Sequence, residues 1–274
     1  RDLFRYIGEQ NKERIMFKSS GVDNIWFRNM GTPLGGQGVS AILKSFVDCY
    51  ETIDGKTIQS LPADERNNFE KNPLHKSRDP RLYATVFLPG DNTTISNYTY
   101  EPFNENSSDY VGKTGAVRSG YMMKKFIDEQ DRATGNGSLD YPLYRYAEVL
   151  LDYVECLVES GDWQNPDVEK YINMIRHRAG MPNMDKSVYN TQEKVRELYR
   201  RVELCFEGKR YDDIRRWGIG QEVMNGPIYG AWNPNDNAFV TIENRTCTFP
   251  KYDSWPLPQT EVTSNPNISQ PTGW

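Results

Sequence analysis

Two carboxylates near residue 200 are the residues whose types and spacing most directly suggest chemistry. Glu203 and Glu207 are four positions apart, so a helix would place both side chains on one face. Two such carboxyl groups in a cleft can hydrolyse a glycosidic bond. More charges of both signs follow closely, at Arg210, Asp212, Asp213, Arg215 and Arg216. We therefore interpret the cluster as an ion-pair network that ties one helix to the next, with a glycosidase as the less favoured alternative.

Other catalytic and metal-binding patterns are missing from the sequence. The two histidines, His75 and His177, belong to no known nucleophile or zinc motif, and His177 is expected on a solvated helix face. The four cysteines are too widely spaced for a zinc site, and we expect free thiols at Cys49, Cys156, Cys205 and Cys247, the second and third of them buried. We predict no catalytic residue, no metal site and no cofactor.

Three polar or glycine-containing segments resemble ligand-binding loops only in part. Gly36–Ala41 fits GxGxxA, but no strand precedes it as a dinucleotide site requires. Gly112-Lys113-Thr114 ends like a phosphate-binding loop, but Ser107 stands where that loop needs glycine. Asn233–Asn237 offers oxygen ligands without EF-hand spacing, so an Asx-rich loop is expected there. We reject a nucleotide site at both glycine segments.

Aromatic side chains outside periodic segments are the best candidates for ligand contact. A flat ring face suits the C–H face of a sugar, and neighbouring amide or guanidinium groups can bond its hydroxyls. A glycine-rich segment at 19–40 reads as a long functional loop and supplies Asn24, Trp26, Phe27 and Arg28. A second, weaker set is Tyr229 and Trp232. The alternative is that Trp26 or Phe27 anchors the loop to the core.

Charge and hydropathy exclude two classes of partner. The net charge of the 274-residue chain is −5, and it contains no basic run, so nucleic acid is not expected. No stretch approaches the roughly 20 apolar residues of a membrane span. The chain starts at Arg1 without a recognisable signal peptide, and we expect a fragment or a processed form.

The predicted secondary structure that positions these residues changes near residue 140, from loops and short strands to helices. Residues 1–140 read as loop-rich with short strands, 141–217 as a helical core, and 218–274 as an irregular C-terminal region. Strands are predicted at 82–88 and 121–127, and a short helix at 41–50. A 3.6-residue apolar period predicts helices at 144–159, 166–180, 191–206 and 211–217. The first two of these should pack as a helical hairpin similar to one tetratricopeptide-like unit.

Five segments in the same order resemble motifs of the SusD/RagB family. They are Arg78-Asp-Pro-Arg-Leu, Tyr144-Arg-Tyr-Ala-Glu-Val-Leu-Leu-Asp-Tyr, Ile172-Asn-Met-Ile-Arg-His-Arg-Ala-Gly-Met-Pro, Arg200-Arg-Val-Glu-Leu-Cys-Phe-Glu-Gly-Lys-Arg, and Trp255-Pro-Leu-Pro-Gln with Asn265-Pro-Asn and Gln270. Cys156 and Cys205 stand where the family has alanine. Residues 1–77 match more loosely, and the chain resembles the C-terminal portion of the family.

The resemblance implies a mainly α fold, with tetratricopeptide-like hairpins, long loops and short strands. It implies a non-catalytic lipoprotein on the extracellular face of the outer membrane, anchored through an N-terminal lipid absent from this chain. Such a protein would capture oligosaccharides and deliver them to a SusC-like TonB-dependent transporter. Peptide capture for the same type of transporter, or a structural helical adaptor, are the alternatives. Family ligand contacts lie in variable loops, so the loop residues named above rest on their chemistry alone.

Overall fold

The computed structural model describes residues 1–19, 21–74 and 77–274, except for the side chains of residues 196–199. The helices in these residues are α1 Ile25–Asn29, α2 Lys44–Val47, α3 Ala63–Lys71, α4 Pro80–Thr85, α5 Tyr146–Glu159, α6 Pro166–Arg178, α7 Gln192–Glu203, α8 Arg210–Arg216, α9 Gly220–Val223 and α10 Gln259–Ser264. The strands are β1 Arg14–Lys18, β2 Val86–Phe87, β3 Met122–Met123, β4 Tyr141–Arg145, β5 Gly226–Asn233 and β6 Ala238–Arg245. His75 lies outside the described residues.

The helical hairpin predicted from the apolar period is present as α5 and α6. Asn165 caps α6 by accepting a hydrogen bond from the Asp167 amide, and Pro166 occupies the first turn, where no amide donor is needed. Leu151, Val154 and Ile172 are buried in the apolar cluster that the two helices share with α7. The apolar period of the helix predicted at 191–206 also places Leu198 and Tyr199 on its inward face, but their side chains lie outside the described residues. The fold is mainly helical, as expected.

The strand predicted at 82–88 is wrong over most of its length. Residues Pro80–Thr85 form α4, and only Val86 and Phe87 are extended. The β-branched and aromatic residues favoured a strand, but Asp79 caps a helix by accepting the Arg81 amide at 2.9 Å. Proline at the first helical position adds to this start signal. The strand predicted at 121–127 shortens to β3, which pairs antiparallel with β2.

The region after residue 218 is more regular than its composition predicts. Strands β5 and β6 form a two-stranded sheet, and residues 234–237 of the Asx-rich segment connect them. Asn233 accepts the Asn235 amide at 3.1 Å and donates to Asp236 at 2.7 Å, which confirms the Asx-rich loop. The Ala231 amide donates to the Ser119 carbonyl at 2.7 Å, and this bond fixes β5 against the loop before β3.

The described residues divide into two units. The first comprises Arg1–Glu207 and Tyr229–Ile242, and the second comprises Gly208–Ile228 and Glu243–Trp274. Within the second unit, the Trp274 indole donates to the carbonyls of Lys251 and Ser254 at 2.9 and 3.0 Å. The Gln270 side chain exchanges two hydrogen bonds with the backbone of Leu257. Parts of the Trp-Pro-Leu-Pro-Gln segment and of the C-terminal segment therefore hold each other in place.

The four cysteines are free thiols, as predicted. Cys205 is buried, but Cys156 is exposed on α5, so its predicted burial is wrong. The helix turns this position away from the apolar cluster that Leu151 and Val154 join. No helix within the described ranges has the length and apolar character needed to cross a bilayer.

Candidate ligand-binding site

The paired carboxylates at the end of α7 are buried rather than open to a substrate. Glu203 is 6% exposed and Glu207 is 4% exposed. Arg145, at the junction of β4 and α5, reaches both of them. Its guanidinium donates to Glu207 at 2.7 and 2.8 Å and to Glu203 Oε1 at 2.9 Å. Both residues are ion-paired as predicted, but their central partner is Arg145, 58 and 62 positions earlier in the chain, and not the next helix that the sequence favoured.

Further cations complete the network from other elements. Lys125 donates to Glu207 Oε1 at 2.7 Å, and Arg81 on α4 donates to Glu203 Oε2 at 3.2 Å. Arg178 at the end of α6 bonds the other oxygen of Glu203. Burial alone would raise the pKa of Glu203, but these cations outweigh burial and lower it below its usual range. The pKa of Glu207 is lowered in the same way by Lys125 and Arg145, against the effect of burial.

This arrangement does not fit a hydrolytic carboxyl pair. A glycosidase acid needs a raised pKa so that it carries a proton near neutral pH. Both carboxyl groups here have lowered pKa values and are held by cations. The segments Arg78–Leu82, Tyr144–Tyr153 and Arg200–Arg210 each contribute a residue to the network, namely Arg81, Arg145 and Glu203. These three motifs therefore build a buried ion-pair network within the first unit.

Trp26 is a core residue, so its predicted ligand contact is wrong. The side chain is 1% exposed, and its indole nitrogen donates to the Leu34 carbonyl at 2.7 Å. It belongs to an apolar cluster with Phe87 and Ile95, which leaves no ring face for a sugar. The helix α1 turns this position inward. The alternative weighed from the sequence, an aromatic anchor for the glycine-rich segment, is the role that Trp26 has.

The other three candidates of that segment lie on its surface. Asn24, Phe27 and Arg28 are exposed, and Phe27 keeps 38% of its surface. Their backbone is held in place, because the Gln37 amide donates to the Phe27 carbonyl and the Val39 amide donates to the Arg28 carbonyl. They remain predicted contacts on a segment whose backbone is held in place.

Trp232 lines a concave site. A cavity of about 470 Å³ lies between the α3–α4 connection, Pro89, Phe103 and the tip of the β5–β6 hairpin. The Trp232 ring is half-buried and packs edge-on against Phe239, with centroids 5.1 Å apart. Lys71 Nζ lies 4.0 Å from the Trp232 ring centroid. Asn72 adds an amide to the lining. The site thus offers an aromatic wall, an ammonium and an amide, the groups that bind a polar ring.

Of the residues that line this cavity, only Trp232 was predicted from the sequence as a ligand contact. Tyr229 is 40% exposed on the same strand but is not among the lining residues of the described chain. Lys71 and Phe103 were missed, since neither stands in a segment with a recognisable motif. Their position in the cavity depends on tertiary contacts. The Asn235 side chain donates to the Phe103 carbonyl at 2.9 Å and so brings the hairpin tip to residue 103.

The chain is a mainly helical protein with a partly aromatic cavity, and its similarity to known proteins gives its family. The SusD family model matches residues 12–274, and the chain belongs to the SusD family. The SusD-like protein P2 of Formosa agariphila is 31% identical over 203 residues, which cover 70% of this chain and 36% of that protein. The starch-binding protein SusD of Bacteroides thetaiotaomicron is 30% identical over 135 residues, or 49% of this chain and 22% of that protein.

Solved structures agree with this assignment. A SusD-like carbohydrate-binding protein from Bacteroides fragilis superposes with a TM-score of 0.81 and 30% identity, covering 98% of this chain and 56% of that one. A surface glycan-binding protein from Bacteroides uniformis has a TM-score of 0.52 at 19% identity and shows the shared fold alone. The chain spans about half the length of these solved relatives.

Proposed function

We propose that this chain is part of a non-catalytic surface protein that captures oligosaccharides. The observation that carries the proposal is the half-buried Trp232 ring in a cavity of about 470 Å³. A rigid ring packed against Phe239 binds a sugar face with little loss of conformational entropy. Relatives that are named for starch or carbohydrate binding support the same ligand class.

The proposal excludes catalysis by the carboxylate pair. Glu203 and Glu207 are the residues with glycosidase spacing, and both serve the buried network around Arg145. Capture by stacking and hydrogen bonding needs no titrating group. Individual contacts of this type are weak, so the affinity of one such site is modest.

The family supports the remaining parts of the proposal. The captured oligosaccharide passes to a SusC-like TonB-dependent transporter, and the protein works on the extracellular face of the outer membrane. These steps are inferred from the SusD family, whose model matches residues 12–274.

Affinity electrophoresis of the full-length protein in gels that contain single polysaccharides tests the ligand class. The polysaccharide that slows the protein in the gel is the bound glycan. Trp232→Ala is expected to lower the affinity for this glycan about tenfold, because the substitution removes a stacking face. The matched control is Trp255→Ala, which removes a tryptophan that is 77% exposed and lies outside the cavity. It is expected to bind as the unmodified protein does.

Two results would overturn the proposal. Equal affinity of the Trp232 and Trp255 variants for the glycan would show that the cavity around Trp232 is not the binding site. If the protein binds to an immobilised peptide library and no polysaccharide slows it in the gel, the captured ligand is a peptide and not a sugar.

A further inference from the structure

A second cavity lies where the glycine-rich segment meets the Gly112-Lys113-Thr114 motif. Its volume is about 550 Å³. One wall is residues 37–39 and 41, the other is residues 111–116 and 118, and Ile242 of the β5–β6 hairpin adds an apolar side chain. The glycine-rich segment thus lines a cavity, but through its last residues and not through positions 24–28.

The two walls approach too closely for larger residues. Gly38 has a φ of 57°, and a Cβ atom built there would lie 2.8 Å from the Gly115 carbonyl oxygen. Gly115 itself has a φ of 79°, in the left-handed region that favours glycine. Glycines at both positions therefore bring two stretches of backbone together around the cavity.

The lining carries positive charge without a compensating acid. Its charged side chains are Lys113 and Arg118, and none of the lining residues is aspartate or glutamate. Lys113 Nζ donates to the backbone carbonyls of Glu105 and Ser107 at 2.8 and 3.0 Å, which orients the ammonium but leaves its charge unneutralised. In the described part of the chain, neither cation forms a salt bridge, in a protein whose net charge is −5.

Backbone donors add to this charge. Gly112, Thr114 and Gly115 line the cavity, and their amides find no acceptor among the residues that the structure describes. Adjacent amides beside a left-handed residue can form a concave set of donors that suits an anion, and Thr114 and the left-handed Gly115 are adjacent. The sequence lacks the glycine of a nucleotide loop, but backbone amides without an acceptor in the described chain stand beside a lysine here.

We propose that this cavity binds the anionic substituent of an acidic glycan, a carboxylate or a sulfate ester. The inference rests on the proposed glycan capture and narrows its ligand class. Residues of one hairpin line both cavities, Trp232 the first and Ile242 the second. A glycan chain would use the first cavity for a sugar ring and the second for a charged substituent.

Calorimetry of the full-length protein with three oligosaccharide probes of equal length tests this inference. The probes are oligogalacturonate, which carries carboxylates, sulfated dextran oligomers, and neutral dextran oligomers. At least one anionic probe is expected to bind at least about tenfold more tightly than the neutral one. The probe that does so identifies the anion as a carboxylate or a sulfate.

The variants separate a defined site from diffuse surface charge. Lys113→Gln with Arg118→Gln is expected to lower affinity for the preferred anionic probe about tenfold. Arg118→Gln alone is expected to lower it several-fold, and this exposed side chain has no hydrogen-bond partner in the described chain whose loss would loosen the loop. The matched control, Lys12→Gln with Lys18→Gln, removes the same charge from exposed positions outside the cavity and is expected to keep the affinity.

Three outcomes would overturn the inference. They are equal affinity for charged and neutral probes, full affinity in the Lys113 and Arg118 variants, and an equal loss in the control. If neutral oligomers bind through Trp232 while charged ones show no preference, the proposed function stands and only this inference fails. If no probe binds, the inference fails, and the polysaccharide panel used with Trp232→Ala decides the proposed function separately.

Discussion

Arg145 holds Glu207 with two parallel hydrogen bonds, Nε to Oε2 at 2.7 Å and Nη2 to Oε1 at 2.8 Å. Both side chains are 1% exposed. A bidentate pair of this kind fixes orientation as well as distance, so it locks the start of α5 to the turn after α7. The same guanidinium also donates to the Glu203 carbonyl at 2.8 Å. The pair therefore organises the helical part of the first unit.

Removal of Arg145 should destabilise the protein strongly. Arg145→Met leaves Glu203 and Glu207 buried with fewer cations, and breaking a buried pair from one side typically costs about 3–5 kcal/mol. The free energy of unfolding is obtained from urea titrations followed by circular dichroism. A loss below about 1 kcal/mol would show that the remaining cations are sufficient.

Arg178→Gln is the control for that experiment. Arg178 also bonds Glu203, but its side chain is 46% exposed, so water can replace it. We expect a loss of about 1 kcal/mol or less. Similar losses in the two variants would mean that burial does not set the strength of this network.

Stability should fall in acid through the same carboxylates. The pKa of Glu203 is lowered in the folded protein from an ordinary value of 4.5, because Arg145, Arg178 and Arg81 outweigh burial. A lowered pKa means that the folded state binds the proton more weakly than the unfolded state does. The stabilisation is therefore fully present above about pH 4.5 and is lost as the pH falls toward the folded pKa.

Comparison with Glu203→Gln isolates this contribution from that of other acids. The difference in unfolding free energy between the two proteins should be full near pH 7 and shrink as the pH falls from about 4.5 to about 3. Urea titrations at these pH values measure it. A constant difference across the range would contradict the assignment to Glu203.

The helical hairpin could be predicted from the sequence because its signal is local. Leu151, Val154 and Ile172 recur at helical spacing, and Pro166 marks the start of α6. Helix α4 was missed because the β-branched and aromatic residues of 82–88 favoured a strand over the helix start at Asp79 and Pro80. Hairpin β5–β6 was missed because it is held by residue 119, more than a hundred positions earlier, and its own composition is typical of loops.

For the candidate sites too, only features that depend on neighbouring residues could be predicted from the sequence. Trp232 could be proposed because an aromatic ring in an irregular segment is a local feature. The burial of Trp26 could not be predicted, since it depends on packing with Phe87 and Ile95. The charge on the second cavity could not be predicted either, because Lys113 meets residue 37 only in the folded chain.

Trp26→Ala should destabilise the protein, and Phe27→Ala should not. The first change empties a site that is 1% exposed, which typically costs about 3–5 kcal/mol in a well-packed core. Phe27 is 38% exposed, so its removal should cost less than about 1 kcal/mol. Thermal unfolding of both variants checks this. A fully stable Trp26 variant would place the ring outside the core.

Gly230→Ala should weaken glycan binding through the position of Trp232. A Cβ atom at residue 230 would overlap the Ser119 carbonyl oxygen, which also accepts the Ala231 amide at 2.7 Å. The overlap would push β5 away from Ser119, break that bond and displace the ring two residues later. We expect affinity to fall about as far as in Trp232→Ala, about tenfold, because the ring leaves its packed orientation.

Gly21→Ala is the matched control, because a Cβ atom there meets nothing within 4 Å. Calorimetry with the retarding glycan gives the affinity, and near-ultraviolet circular dichroism reports the environment of the aromatic rings. Unchanged binding in the Gly230 variant, together with a changed aromatic spectrum, would show that the captured sugar does not depend on where the hairpin holds Trp232. Lower affinity in Gly230→Ala, with unchanged affinity in Gly21→Ala, would show that glycan binding depends on the packing of β5 against Ser119.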